Sequence, residues 1–420
     1  MADSQGAPRE KNNDDYWQQK LRGRRVFIET YGCRYNFGDT AKLVEVLKNL
    51  GSIIVDSADR ADSVVVNTCT VVGPTERRML RRLSLYRDND LYVTGCMPAV
   101  QPGPIFAVCS PTIISPGSIQ EAYRDIGTVT GEGTGIIQIA QGCTGNCSYC
   151  ITRKARGPLK SFPEDEILRQ VLAHSRAGTA EIQITAQDVS AWGRDLGRSL
   201  PELLGSIGNL PGKFMVRVGM MNPATILENL EPLVGAFQSE KIFRFVHIPV
   251  QSGSDRILDR MKRGYTVAEF EEIVAAFRKR YPQISVATDV IVGYPNETDD
   301  DFYQTCDLIS RIRPIKVNVT RYSHRPFTST DETDLPESVK KERSRDLNAL
   351  TGKIYSSANT RLLGTTTPFI VTELIRHGSV MARNPEYKGI IIKEDLPVGY
   401  EGNAILKKDQ KYFFIGERTG

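Results

Sequence analysis

Cys143, Cys147 and Cys150 stand in one short run, "GCTGNCSYC", spaced C-x3-C-x2-C. Three thiolates this close can hold three irons of a [4Fe–4S] cube and leave the fourth iron without a protein ligand, whereas four cysteines close a cluster for electron transfer. The flanks place the run in a fold. "GIIQIA" before it reads as a strand, and "RGPLKSFPEDEILRQVLAHSRAG" after it reads as a loop and then a helix. The cysteines thus follow the C-terminal end of a strand, where α/β barrels carry their chemistry.

Two other uses of clustered cysteines compete with this one: a zinc site whose fourth ligand lies elsewhere, and disulfide partners. A zinc knuckle offers paired C-x2-C units, and the chain has no second such pair. A disulfide framework suits small secreted chains, and this one has 420 residues and is expected to carry no export signal. Its eight cysteines are expected in the reducing cytoplasm, where thiols serve metals. Apolar residues make up 40% and charged residues 25%, as in ordinary globular chains with room for two or three domains. No apolar run approaches the ~20 residues that span a bilayer, so no membrane anchor is expected. A net charge of +4 permits a polyanionic partner without demanding one.

Residues 1–24 are polar and poor in apolar residues, and are expected to form a flexible tail. From Arg25 the pattern becomes α/β. "RVFIETYG", "SVVVNTC" and "LYVTGC" read as strands, separated by helices over "GDTAKLVEVLKNLG" and "GPTERRMLRRLSLYRD". Each strand delivers a cysteine at or just past its C-terminal end: Cys33, Cys69 and Cys96. Ligands of an open parallel sheet bind outside those ends, so the three could converge on a second metal centre; taken singly, each could be a small buried hydrophobe. Cys109 and Cys306 fit neither trio and read as ordinary thiols. Residues 97–134 are rich in Pro, Gly and Ser and read as an irregular connection with a short extended element, "AVCSPTIIS". From 135 to about 330, six strands alternate with helices: "GIIQIAQ", "EIQITAQDVS", "FMVRVGMM", "RFVHIPVQ", "SVATDVIVGYP" and "IKVNVTRYS". That number suits a partial (β/α)6 barrel rather than a closed eightfold one. A charged helix, "PESVKKERSRDLNALTGKIYSSANTRLLG", leads to short β runs that suggest a small antiparallel barrel. The last 60 residues carry nine Lys/Arg and seven Asp/Glu, a balance compatible with RNA binding or with a structural cap.

With these elements in place, the chain from about 25 to 420 resembles the radical S-adenosylmethionine (SAM) methylthiotransferases, and within them the archaeal and eukaryotic branch acting on N6-threonylcarbamoyladenosine (t6A) at tRNA position 37. The resemblance rests on stretches in the expected order, among them "ETYGCRYNFGD", "VVNTCTV", "VTGCMPAVQP", "GCTGNCSYC", "AQDVSAWGRDLG", "HIPVQSGSDRILDRMKRGYT" and "ATDVIVGYPNETDDDF". It implies an α/β fold in three parts: an N-terminal open α/β domain with an auxiliary cluster (25–134), a radical SAM domain with its linker helix (135–357) and a C-terminal TRAM barrel (358–420). It implies two [4Fe–4S] clusters and SAM as cofactors. Cys143, Cys147 and Cys150 match the ligands of the radical cluster, and Cys33, Cys69 and Cys96 those of the auxiliary one. Tyr149 and the segment holding Gly293 match positions near the adenine of SAM, and Gln187 and Asp188 the region of its amino group; Arg217, Gln251, Ser252 and Asp289 are pocket candidates, with helix capping the other use for Asp188 and Asp289. Arg34 and Tyr35 after the first cysteine, and "TVVGPTERR" after the second, depart from the usual family pattern without touching a ligand.

The resemblance implies that a 5′-deoxyadenosyl radical from one SAM removes the hydrogen at C2 of the modified adenine, since an aryl C–H is too strong for acid–base chemistry, and that sulfur takes its place and carries a methyl group from a second SAM. The implied partners are the tRNA anticodon stem-loop at adenosine 37, a low-potential electron donor and a sulfur donor, with no membrane and a monomeric, cytoplasmic enzyme. Lys407, Lys408 and Lys411 are candidate phosphate contacts. The alternatives are the same chemistry on isopentenyladenosine tRNA or on a ribosomal-protein aspartate, and a non-catalytic RNA-binding protein with structural clusters.

Overall fold

The computed structural model describes residues 16–71, 73–124, 126, 133–328 and 334–419, apart from the side chain of residue 74. The chain divides into two compact units, residues 1–69 with 74–127, and residues 70–73 with 128–420.

The first unit runs α1 (Tyr16–Leu21), β1 (Arg25–Thr30), α2 (Arg34–Asn49), β2 (Ile53–Val55), β3 (Ser63–Thr68), α3 (Gly73–Leu85), β4 (Asp90–Gly95), α4 (Cys96–Val100), β5 (Thr112–Ile113) and α5 (Pro116–Arg124). All strand pairs are parallel, in the order β2-β1-β3-β4-β5. The run "SVVVNT" of β3 is buried at every position, as a central parallel strand covered on both faces must be. Leu43, Val46 and Leu47 of α2 pack over one face with Ile119 and Tyr123 of α5. Met79 and Leu83 of α3 pack over the other, against Val64, Val66 and Val93.

Two expectations change here. Of the expected tail, residues 1–15 lie outside the described residues, but Tyr16–Leu21 is a helix. Its apolar residues are few, yet Trp17 and Leu21 stand one turn apart, so both reach the core beside α2. The Pro- and Gly-rich connection also holds helices. Ser115 Oγ accepts the N–H of Ser118 at 3.0 Å and Pro116 opens α5, so a Ser-Pro pair that reads as a turn is the start of a helix. The extended element shrinks to Thr112–Ile113, and residues 125 and 127–132 of the connection lie outside the described residues.

In the second unit all six expected strands form: β6 (Gly135–Gln138), β7 (Glu181–Thr185), β8 (Met215–Val218), β9 (Phe245–His247), β10 (Ser285–Val292) and β11 (Lys316–Arg321). They make two three-stranded parallel sheets, β6-β7-β8 and β9-β10-β11, joined by bridges Val216–Ile242 and Met220–His247. The result is an open six-stranded barrel in chain order. Alternate residues Ile182, Ile184, Val216, Val218 and Val246 pack under the covering helices, which include α6 (Glu164–Arg176) and α7 (Val267–Arg280). The residues between them, such as Gln183, Arg217 and His247, fall on the inner face.

Helix α8 (Glu337–Thr360) leads into β12 (Thr366–Arg376), β13 (Ser379–Arg383), β14 (Gly389–Ile392), β15 (Glu401–Asp409) and β16 (Phe413–Thr419). These close in the order β12-β13-β14-β16-β15. The barrel is not wholly antiparallel: β14 and β16 pair in parallel. Strand directions cannot alternate around a ring of five, so one neighbouring pair must run the same way. The small barrel docks at the N-terminal edge of the larger one. The Tyr387 hydroxyl donates to Glu181 Oε1 at 2.5 Å, its ring lies 4.9 Å from that of Phe243, and the Arg244 N–H donates to Pro385 O at 2.7 Å.

His174 on α6 gives this unit an acid-labile point. The residue is 7% exposed, and its ring lies 2.8 Å from where a Cβ on Gly135 would stand. Burial lowers its pKa from 6.5 to about 4. Below pH 6.5 the unfolded chain therefore takes up a proton that the folded chain refuses, and stability is lost as pH falls towards 4, by about 3 kcal/mol in total. In His174→Gln, the fall in unfolding midpoint between pH 6.5 and 4 should be shallower than in the parent. Coincident slopes would show that another group governs the acid limb.

Candidate active site

Residues 142–159, with a short helix at Thr152–Arg156, make an excursion closed at its base by a short antiparallel ribbon, Ala140–Gln141 against Lys160–Ser161. Gly142 opens the loop at φ +79°, where a Cβ would lie 1.9 Å from Pro158 O. Its N–H donates to Gln187 Oε1 at 2.6 Å. Gly145 lies in the hollow between two thiols: a Cβ there would be 3.3 Å from Cys143 Sγ and 3.8 Å from Cys147 Sγ, and its N–H donates to Cys143 Sγ at 3.2 Å. Ser148 pins the far side of the loop, with its N–H to Met261 O at 3.1 Å and its hydroxyl 3.0 Å from Arg260 O and 2.8 Å from Tyr294 Oη.

Burial, reinforced by the charge of Asp188, pushes the Cys143 thiol up to about 11, so without a cation it stays protonated at neutral pH. Bound iron reverses that preference by stabilising the thiolate. Cys147 Sγ accepts a hydrogen bond from Arg263 Nη1 at 3.3 Å. The sequence pattern did not single out Arg263, since a basic residue after a helix reads as solvated surface.

Beside the loop is a cleft of about 260 Å³ whose lining includes Tyr149, Cys150, Gln251, Asp289, Asn318 and Arg325. Gln251 adopts φ +71°, uncommon for a residue with a side chain. The ladder holds it there: its N–H donates to Asp289 O at 2.8 Å and its carbonyl accepts from Ile291 N at 3.0 Å. Asp289 Oδ1 lies 2.8 Å from His247 Nε2 and accepts from Asn318 Nδ2 at 2.6 Å. Burial opposes its charge, but these partners outweigh burial and hold the carboxyl below its usual range. The cleft wall thus presents an ionised acceptor held by two side-chain partners. Tyr149 packs with Ile257, Met261, Tyr294 and Tyr322.

Five expected pocket residues have partners within the protein. Gln187 holds the backbone of Gly142. Asp188 serves as a cap, accepting from Ser190 N, Ser190 Oγ, Asn222 N and Thr225 Oγ1 at 2.6–3.1 Å. Gly293, at φ +73°, packs where a Cβ would strike Lys340 Cγ at 2.4 Å, and its N–H donates to Glu297. Arg217 stacks on Phe245 and Tyr387 near the docked small barrel, with its guanidinium 5.1 and 5.6 Å from the ring centres. Ser252 is buried, with its hydroxyl accepting from Ser254 N at 3.2 Å.

In the first unit, Cys33, Cys69 and Cys96 follow the neighbouring strands β1, β3 and β4. Their loops touch. A Cβ on Gly32 would lie 2.8 Å from Cys69 Cβ and 3.1 Å from its sulfur, and one on Gly95 would strike Thr68 O at 2.3 Å. Asn36, fully buried, links all three: its Nδ2 donates to Tyr31 O and Thr68 O at 2.8 and 2.9 Å, and Cys96 Sγ lies 3.7 Å from its Oδ1.

Among the described residues, no three His, Cys, Asp or Glu side chains converge as ligands of one metal ion do. A cube asks for something different, since each sulfur meets a different iron. Three thiols on one short loop, two of them flanking the Gly145 hollow with an N–H aimed at one sulfur, suit that donor pattern. Cys109 and Cys306 stand apart, each a thiol raised by burial.

The Gly142 contact is the sharpest steric demand at the site. Gly142→Ala should lower the unfolding midpoint strongly, by about 3 kcal/mol or more, because backbone oxygen occupies the Cβ position and φ is positive. Gly157→Ala, also at positive φ but with nothing within 4 Å of its Cβ, should cost less, about 1–3 kcal/mol from backbone conformation alone. Equal losses in the two variants would mean that backbone conformation, not the contact with Pro158, sets the requirement.

Residues 137–309 match the model of the radical SAM superfamily, and residues 25–112 that of the uncharacterized protein family UPF0004. A protein of Methanothermobacter thermautotrophicus named "Probable threonylcarbamoyladenosine tRNA methylthiotransferase" is 38% identical over 89% of this chain and 95% of its own length. The human threonylcarbamoyladenosine tRNA methylthiotransferase is 30% identical over 92% of this chain and 74% of its own length. Among solved structures, a radical S-adenosylmethionine methyltransferase from Kitasatospora setae aligns with a TM-score of 0.52 and 13% identity over 73% of each chain, a likeness of fold alone. With a relative this similar over nearly its whole length, the chain belongs to the threonylcarbamoyladenosine tRNA methylthiotransferase family.

Proposed function

We infer that this chain converts t6A at position 37 of tRNA to its 2-methylthio derivative. The observation that carries the reading is the pair of cysteine trios, each gathered at the C-terminal edge of a parallel sheet, in a chain 38% identical to relatives named for this reaction. The relatives' names give the alternative acceptors, isopentenyladenosine and a ribosomal-protein aspartate, no support.

Cys143, Cys147 and Cys150 would hold one [4Fe–4S] cluster, and Cys33, Cys69 and Cys96 the other. When bound, the clusters and SAM supply the one-electron and sulfur chemistry that an aryl C–H requires. The protein's part is to orient and to shield. The ribbon, Gly142 and Ser148 fix the loop that carries the three sulfurs. The cleft beside Cys150 is the natural seat for SAM, with Asp289 an acceptor for its amino or hydroxyl groups and Tyr149 an apolar wall. Gln187 and Asp188 act behind the loop as supports rather than as contacts to SAM. Target bases in an anticodon loop can be splayed out, which suits a buried reaction centre.

A cytoplasmic monomer, drawing electrons from a low-potential donor and sulfur from a separate donor, completes the proposal. Among the described residues, no helix is long and apolar enough to cross a membrane.

The test is an anaerobic single turnover with t6A-containing tRNA, SAM and reductant, followed by nucleoside mass spectrometry. Formation of 2-methylthio-t6A by the parent, with loss of product in both Cys143→Ala and Cys69→Ala, is the expected result. SAM cleavage without product would keep the radical half of the reading and reject the acceptor.

A further inference from the structure

Arg263 is 8% exposed and donates five hydrogen bonds. Nε reaches Tyr265 Oη at 3.1 Å; Nη1 reaches Cys147 Sγ at 3.3 Å and Tyr149 Oη at 3.4 Å; Nη2 reaches Asn222 Oδ1 and Pro249 O, both at 3.1 Å. No carboxylate is among these partners. Asp188 feels the charge of Arg263 but makes no hydrogen bond to it, spending its oxygens on Ser190, Asn222 and Thr225. A guanidinium withdrawn from water and hydrogen-bonded to four neutral oxygens and one sulfur, with no carboxylate among them, is costly to bury. Cys147 alone in this set becomes an anion by binding metal.

We propose that Arg263 is a positioning residue for the cluster held by Cys143, Cys147 and Cys150, orienting the Cys147 sulfur through an N–H···S bond and raising the cluster's reduction potential with its charge. The proposal rests on the reading of these cysteines as cluster ligands. Reduction adds an electron to the cluster, so a fixed cation and a hydrogen bond at one sulfur favour the reduced state. The planar fork matters too. It spans Cys147 on one branch and the backbone of Pro249 with Asn222 on the other, which ties the cysteine loop to the strand ends beyond β8 and β9; a lysine ammonium cannot span all of these at once.

The test uses the full chain with Cys33, Cys69 and Cys96 changed to Ala, so that a single reconstituted cluster of about four irons remains. Iron content and the midpoint potential, from a redox titration followed by electron paramagnetic resonance without SAM, are compared for this parent and for added Arg263→Gln and Arg263→Lys. A Gln variant that keeps its iron but titrates at lower potential, with Lys shifted less in the same direction, is the expected result. An unshifted Gln variant with its iron in place would overturn the proposal and leave Arg263 as packing. Should the Gln variant lose its iron, the Lys variant decides: a lower potential supports the role, and an unchanged one rejects it. A parent without iron, or iron retained in Cys147→Ala, would instead mark failure of the cluster reading itself, and the proposal would fall with it.

Discussion

Parallel strand pairing is the constraint on which the chemistry of both units depends. Strands that all run the same way share one edge for their C-terminal ends, so residues far apart in sequence are delivered side by side without any dedicated contact between them. In the first unit this gathers Cys33, Cys69 and Cys96 from the ends of the adjacent strands β1, β3 and β4. In the second it brings the cysteine loop after β6 to the same edge as Gln251 after β9 and Arg325 after β11. A one-strand change of order in either sheet would separate the members of a set, which no substitution in a loop could repair.

Delivery to one edge is not enough, because loops at a strand end must also approach closely. The glycine immediately before Cys33, Cys96 and Cys143 answers that need in each case. Gly32, Gly95 and Gly142 have φ of +110°, +94° and +79°, and each has backbone or side-chain atoms where a Cβ would stand. The positive φ turns the chain sharply out of the strand, and the missing side chain lets the next loop touch it. Glycine before cysteine is therefore a steric device in both units. It explains why "YGC", "TGC" and "QGC" recur in a chain whose two units have different folds.

This pattern also marks the limit of what the residues alone reveal. The strands and both trios were legible because apolar runs of strand length and cysteine spacing are local signals. So was the count of six barrel strands. Partners across long sequence separations were not. Asn36 reaches Thr68 and Cys96, and Arg263 reaches Cys147 and Asn222, through contacts that no local pattern encodes. The same gap explains the residues engaged elsewhere than expected. A position at a strand end shows which edge Gln187 or Asp188 occupies, but not that Gly142 and Ser190 claim their oxygens first. Arg217 lies on the inner face of β8 as its alternation requires, yet level with the docked small barrel rather than with the cleft.

That docking bears on how a large substrate could be held. The small barrel meets the N-terminal edge of the larger one through Tyr387 and Glu181, while the cysteine loop and cleft lie at the C-terminal edge. The five residues of β7 separate the two edges by roughly 17 Å at about 3.3 Å per residue. Of the basic residues on the barrel, Lys407 is paired with Glu417 at 3.0 Å and Lys411 lies over Tyr412, so neither is a bare charge waiting for phosphate. A contact with both the barrel and the cleft requires a ligand that spans at least this distance and can compete with those surface pairings. A structured RNA meets both conditions through its length and its repeated charge, and a free nucleoside meets neither. In a family named for tRNA modification, any ligand that touches both edges must therefore reach well beyond its target base.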